Sequence, residues 1–471
     1  MPTVLTRLTW GLFALSLGLL VWSPDPDWAG DALLQIDGLT RLMAAVTTFV
    51  SGIVHSFSRR YMAGAKYLDR FYARLFGLTL IVLLLTAANH LALFALTWAA
   101  MGWVLADLIG HIRGWPQARA ASRYARTYFL GGSALLAGAL GLLGVQAGTW
   151  TISGVLAAVG TLSTPVVVTA SVLLVLAAMI QSALVPFHRW LLSSMTAPTP
   201  VSGFMHAGLV NAGGVLLARF APVVFERSVV MLGIVFVGGV SALLGQAWML
   251  VQTDVKRQLG ASTVAQMGFM VLQAGLGFIP AAIAHLLLHG FYKAYLFLAA
   301  GSVVEHTQPT PGERPAPTIL GGLVTLVTAI AGGILFATLT GKSLVALNSG
   351  TVLTVFVVIA VLHATRALVR RAELSATTRL WAVPAVLLPS IGLYAAVYAG
   401  VGAVLGTLPM AEAPTALTPL HWGLVTVFVL AYVALDRGWH RASTRLYVTL
   451  LNTSQPVPTT LLHNREQYNA H

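Results

Sequence analysis

His285, His289 and Lys293 follow one another at four-residue steps in AIAHLLLHGFYKAYLFLAAGSVVEH. At 100° per residue the three span about 80° of a helix, so they form one polar stripe on an otherwise apolar segment. A charge near the centre of a bilayer costs about 2.5 to 3.5 kcal/mol on insertion scales, which argues that three titratable groups on one face are there to be used. Histidine titrates near neutrality, and lysine can change protonation state when buried, so the stripe reads as a proton relay. Two other uses fit the same spacing. The histidine pair could begin a zinc site, although the helix supplies no third ligand, or the histidines could simply bond to neighbouring helices.

Lys342 is the second candidate. The chain has only Lys66, Lys256, Lys293 and Lys342 as lysines, and Lys342 follows Gly332 and Gly333, a pair that reads as a helix break. A switchable proton site and a lysine snorkelling to the outer membrane surface are both consistent with that position. In QTDVKRQLGASTVAQMGF, Asp254 and Lys256, with Arg257, stand at a helix entrance. Asp254 reads equally as an N-cap and the basic pair as membrane anchors. Asp107 and His111, one turn apart, either guide protons inward or mark the membrane interface. His206, a lone histidine, reads by itself as a satisfied core residue.

The elements that must carry these groups are membrane helices. With 57% hydrophobic and 9% charged residues over 471 positions, the chain cannot hide its apolar surface in a soluble core. Apolar stretches of roughly 17 to 25 residues, the length that crosses a bilayer, recur about fourteen times, which predicts an all-α membrane protein. The net charge of +13 does not indicate nucleic acid, because Lys and Arg alternate by loop. One side carries Arg59, Arg60, Lys66, Arg70, Arg113, Arg119, Arg314, Arg370, Arg371, Arg379, Arg441 and Arg465; the first loop opposite carries Asp25, Asp27, Asp31 and Asp37. That asymmetry places both termini in the cytoplasm. Arg7 precedes an apolar run that looks like a signal peptide, but no small-x-small site follows, so a retained helix is expected. Without cysteine there is no disulfide, thiol nucleophile or Cys-ligated cluster. Residues 1–436 form a single transmembrane domain and residues 437–471 a short cytoplasmic tail, in which Leu446 to Leu451 reads as a surface helix before a flexible end. Pro186, and Gly332 with Gly333, predict interrupted helices separated by an odd number of spans, as in inverted-repeat transporters.

Longer strings carry a resemblance. QIDGLTRLMAAVTTFVSGIVHSFSRRYMAG, PFHRWLLSSMTAPTPVSGFMHAGLVNAGGVLLARF, QTDVKRQLGASTVAQMGFMVLQAG and HLLLHGFYKAYLFLAAGSV resemble, in order, the proton-translocating antiporter-like subunits of complex I and of the Mrp cation/proton antiporters. The similarity covers roughly residues 35 to 310. It implies inverted five-helix repeats with broken helices and a central polar axis. Residue by residue, His285, His289 and Lys293 match the family's central relay, His206 its seventh-helix histidine, and Lys342 its exit-side lysine. Two family positions are lost: the first-repeat glutamate falls on Ala99 and its partner lysine on Gln181. Without that pair, the first half is not expected to pump by electrostatic switching.

The chain stops about 35 residues past its last span, so no long lateral helix is expected. In this it is similar to the DabB family, membrane subunits of bacterial inorganic-carbon accumulation complexes. The resemblance implies a cation-conducting (proton or Na⁺) subunit of the bacterial inner membrane, without catalysis or cofactor of its own. It would energise a large cytoplasmic DabA-type partner, zinc-containing and resembling a β-carbonic anhydrase, for CO2 or bicarbonate uptake. The alternatives are a proton-pumping subunit of a hydrogenase or complex I-like oxidoreductase, a free-standing antiporter and a passive scaffold. The basic, aromatic loop from Arg59 to Arg74 is the expected docking surface.

Overall fold

A computed structural model describes residues 1–22, 32–301, 319–343, 346–369, 376–406, 408–409, 412–439 and 443–461. Asp25, Asp27, Asp31, Arg314, Arg370, Arg371, Arg441 and Arg465 lie outside the described residues, as does the end of the tail.

Among the described residues, fourteen long helices fall on the fourteen apolar stretches. They are α1 (Pro2–Trp22), α2 (Gly38–Tyr61), α3 (Leu68–Ala87), α4 (Leu91–Ile109), α5 (Pro116–Ala147), α7 (Thr164–Gln181), the segmented helix at 199–219, α12 (Ser228–Val251), α13 (Val255–Gly275), α14 (Ile279–Leu298), α15 (Ile319–Leu339), α16 (Ser349–Val369), α17 (Ala376–Val404) and α18 (Pro419–Asp436). Twelve are long and apolar enough to cross a membrane by composition alone; α13, with its polar first turn, and the shorter α18 complete the set. The short α6 (Ile152–Ala158) and α8 (Arg189–Ser193) lie between spans.

The segmented helix comprises α9 (Thr199–Phe204), a π turn at Met205–Leu209 and α10 (Ala212–Arg219), followed by α11 (Ala221–Phe225). A π turn leaves backbone groups out of the regular ladder and recurs at functional sites. The break expected at Pro186 is present: α7 ends at Gln181, and regular helix resumes only with α8 at Arg189. The break expected at Gly332 and Gly333 is not. Helix α15 runs unbroken through both, and the glycines are packing contacts: a Cβ on Gly332 would lie 2.5 Å from Ile391 Cδ1, and one on Gly333 2.3 Å from Val358 Cγ2. The chain leaves α15 later, at Gly341, whose φ of +68° suits glycine. There Lys342 N–H bonds the carbonyl of Ala337 at 2.8 Å, the 6→1 bond that closes a Schellman cap and sets the position of Lys342.

Helices α12 and α13 pack backbone to backbone along glycines. A Cβ on Gly238 would meet Leu272 N at 2.5 Å, on Gly245 Ala265 N at 2.3 Å, and on Gly268 Ala242 N at 2.4 Å. In hydrocarbon, where apolar burial does not drive association, such close contact is what holds two helices together. Gly290 does the same for α14, since its Cβ would lie 2.5 Å from Ala207 O in the π turn.

The tail packs onto the spans. Its helix α19 (Thr444–Thr453) meets Trp248, whose Nε1 donates to Thr453 Oγ1 at 2.9 Å. Gln252 Nε2 donates to Ser454 Oγ at 2.6 Å, and Val457 N to Ser193 Oγ at 3.1 Å, so residues 443–461 pack against the end of α12 and against α8.

Gly245→Ala forces a backbone shift and should destabilise the protein by about 1 to 3 kcal/mol. Gly233→Ala, on the same helix with nothing within 4 Å of the new methyl, serves as control. Thermal unfolding in detergent should separate the two; equal midpoints would remove glycine contact as the basis of the α12–α13 pair.

Candidate functional site

Helix α13 acts as a ruler across the membrane. From Lys256 to Gln273 it rises about 25 Å, close to the roughly 30 Å of a hydrocarbon core. The polar groups are arrayed along it.

At the arginine-rich end, Asp254 caps α13 by accepting from Arg257 N at 2.8 Å, so its N-cap reading is realised. Lys256 Nζ lies 3.4 Å from Ala197 O. A cavity of about 200 Å³ opens here, lined by Asp254, Lys256, Arg257, Gln117 and Ser193, with Pro456 of the tail at its edge.

One turn further in, Lys293 is fully buried, and its Nζ donates to the carbonyl of Leu259 at 2.9 Å. Thr263 Oγ1 donates to the same carbonyl at 2.9 Å and lies 3.0 Å from His206 Nδ1. The threonine hydroxyl thus bridges the imidazole and the Leu259 carbonyl, with the direction of its bond to His206 set by the ring's tautomer. The His206 ring, in the π turn, stacks on Phe297 of α14 at 4.2 Å. Thus His206 is no isolated core residue: it is joined to Lys293 through Thr263 and Leu259.

His289 and His285 continue the stripe toward the opposite end, their rings 5.8 Å apart and 24° from parallel. His289 is 7% exposed, and neither of its ring nitrogens has a hydrogen-bond partner among the described residues; His285 Nε2 also lacks one. No group of three potential metal-ligating His, Cys, Asp or Glu side chains forms among the described residues, so the pair gains no third ligand.

Lys342 lies apart from this stripe. Its Nζ contacts both carboxylate oxygens of Glu412, at 3.0 and 2.9 Å, and sits 4.2 Å from the ring centre of Phe278, just before α14. Tyr398 donates its O–H to the same carboxylate. The lysine side chain is 7% exposed and the glutamate 42%, so the pair stands at a water-facing mouth. Glu412 carried no signal in the sequence, because it lies on a loop more than a hundred residues from the stripe.

The first half is built differently. Asp107 is clasped by Arg74 at 2.7 Å and Arg126 at 2.6 Å, and Arg126 also covers Trp103. His111 packs edge-on against Phe71 at 5.2 Å. Neither joins the stripe. Ala99 offers no polar atom, whereas Gln181 is buried and donates to Leu209 O at 3.0 Å, tying the end of α7 to the π turn. A mostly apolar cavity of about 50 Å³, lined by Met43, Trp98, Phe204, Leu216, Arg219 and Leu286 among others, lies among α2, α3, α4, the segmented helix and α14.

The chain matches the family described as NADH:quinone oxidoreductase/Mrp antiporter, TM, over residues 88–341, and the complex I chain 5 N-terminus over residues 22–72. It is 37% identical over 296 residues to the probable inorganic carbon transporter subunit DabB1 of Halothiobacillus neapolitanus, covering 61% of this chain and 53% of that one. It is 36% identical over 297 residues to NADH-quinone oxidoreductase subunit L of Mycobacterium tuberculosis, covering 62% and 47%. The chain thus spans about half the length of these curated relatives. Its fold is that of a chain in the Mrp complex of Dietzia sp., with a TM-score of 0.60 at 23% identity, covering 100% of this chain and 52% of the other.

His111 lies outside the spans, and burial, then the nearby Arg74, Arg113 and Arg70, hold its pKa below the ordinary 6.5. A histidine depressed in the folded state stabilises fully above 6.5, and that contribution declines as the pH falls below it, because the unfolded chain binds the proton first. His111→Gln should therefore lose less thermal stability than wild type between pH 7.5 and pH 5.5; identical slopes would show that the histidine does not titrate with unfolding.

Proposed function

The chain belongs to the NADH:quinone oxidoreductase/Mrp antiporter transmembrane family, and from that premise we propose that it is the cation-conducting membrane subunit of an inorganic-carbon uptake complex. Lys293 carries this reading: a fully buried lysine held by a backbone carbonyl, on one stripe with two histidines and linked to a third. Arginine could not serve there, because it stays charged, whereas lysine and histidine accept and release a proton. Cations enter through the cavity at Asp254 and Lys256, pass Lys293, His289 and His285, and leave at Lys342, or run the reverse way.

The chain itself performs no bond chemistry in this proposal. The energy of cation flow goes to a DabA-type, zinc-containing cytoplasmic partner, in keeping with the DabB names of its relatives. The bacterial inner membrane, with both termini cytoplasmic, is the location that fits its loop charges. The lack of an ionisable side chain at Ala99 and Gln181 supports conduction through the second half alone.

Purification from native membranes distinguishes the readings. A co-purifying zinc protein supports the proposal; iron–sulfur or flavin absorbance instead identifies a subunit of a hydrogenase or complex I-like oxidoreductase, and no partner a free-standing antiporter. In everted vesicles containing the assembled complex, Lys293→Ala should reduce cation flux by roughly two orders of magnitude. Wild-type flux and carbon uptake in that variant would remove the relay.

A further inference from the structure

The histidine stripe ends at His285, and Lys342 stands beyond it. Along α14 the distance from His285 to Phe278, the ring under Lys342, is about 10 Å, too long for one proton step. The neighbouring helices fill this interval with side chains that neither the motif nor the family match assigns. His285 lies 5.5 Å, ring to ring, from Phe269 of α13. One turn further along the same face is Gln273, 1% exposed, whose Nε2 donates to Tyr394 OH of α17 at 3.2 Å while its Oε1 has no partner. One turn along α17 from Tyr394 is Tyr398, which donates to Glu412, the partner of Lys342. Both tyrosine rings pack against the fully buried Phe336, at 6.0 and 6.3 Å, which fixes them on one face.

Resting on the conduction reading above, we infer that Gln273, Tyr394, Tyr398 and Glu412 form the outlet joining His285 to the water-facing mouth, and that the ion leaving there is a proton. One step is a hydrogen bond already made, Tyr398 to Glu412; the Gln273 amide that donates to Tyr394 holds the phenol in place and carries no proton itself. Bound water carries the proton from His285 to Tyr394, oriented by the unpartnered Gln273 Oε1, and again from Tyr394 to Tyr398, one helical turn along α17. Gln273 orients and does not ionise. Tyr398 passes its O–H proton to a Glu412 oxygen as the phenol oxygen takes a proton from the Tyr394 side, so only O–H bonds form and break and no charge is left on the ring. Glu412, 42% exposed, then exchanges its proton with solvent. Lys342 is here a positioning group that holds the carboxylate at Tyr398. Na⁺ does not suit this outlet. It would need a shell of oxygens, whereas the passage offers aromatic rings, single hydroxyls and a carboxylate already occupied by an ammonium.

The test uses everted membrane vesicles carrying the intact complex, with proton flux read by a pH dye, Na⁺ flux by isotope, and complex abundance checked for each variant. Tyr398→Phe and Glu412→Gln should each slow proton flux roughly tenfold or more, while Glu412→Asp keeps most of it. A merely structural glutamate would not separate Gln from Asp in this way, and replacing water by D2O should slow wild-type flux. If Lys293→Ala silences flux while Tyr398→Phe and Glu412→Gln run within about twofold of wild type, this outlet is wrong and conduction stands. If Na⁺ is the ion carried and Tyr398→Phe does not slow it, the proton assignment falls. If Lys293→Ala has no effect, the conduction reading itself fails.

Discussion

The hydrogen bond from Lys293 to the carbonyl of Leu259 governs the rest of the second half. An ammonium at membrane depth is tolerated only where oxygen replaces the water it has lost, and here a helix carbonyl replaces it. That carbonyl must come within 3 Å of a side chain on another helix, which demands unusually close packing. Gly290 brings α14 against the π turn, the π turn presents His206 to Thr263, and the glycines of α12 and α13 lock α13 to its other neighbour. Each feature looks local until the lysine is considered; together they are the conditions for burying it.

The first half meets the same problem of polar groups in hydrocarbon by closing them in pairs. Arg219 of α10 reaches Asp37 at the start of α2, and also bonds Thr40 and the carbonyl of Thr86, so three elements are pinned by one guanidinium. Asp107 is shared between two arginines at the other end. Carboxylates so engaged are held as fixed ion pairs, and a mostly apolar cavity lies beside Arg219. Gln181 fits this pattern. Where a lysine would titrate, an amide satisfies the carbonyl of Leu209 and holds the π turn in place without ionising.

What was legible in the sequence follows from what is periodic. The fourteen apolar stretches and the i, i+4, i+8 stripe are local patterns with a fixed geometry, so spacing alone puts His285, His289 and Lys293 on one face. Pro186 was legible because proline removes a donor. Gly332 and Gly333 misled, because glycine in a membrane helix signals either a break or a close contact, and only the neighbours, Ile391 and Val358, decide. The partners of the stripe were invisible for a different reason. Leu259 contributes a backbone carbonyl, which no residue type announces, and Glu412 meets Lys342 only because two loops distant in sequence fold together.

Lys293 in the stripe and Lys342 apart from it face different acceptors, and the difference bears on what each can do. A backbone carbonyl accepts from an ammonium and from a neutral amine alike, so the Lys293–Leu259 bond survives a protonation cycle and the side chain need not swing. A carboxylate instead binds an ammonium as an ion pair, and loss of either charge ends the attraction. Lys342 is thus tied to the charge on Glu412: when the carboxylate takes a proton, the lysine loses its reason to stay. The cation–π contact with Phe278, a residue adjoining α14, then remains as its anchor and keeps it beside the mouth until Glu412 releases the proton and the pair re-forms. On the proposed path the buried lysine changes state in place, and the one at the mouth lets its partner do so.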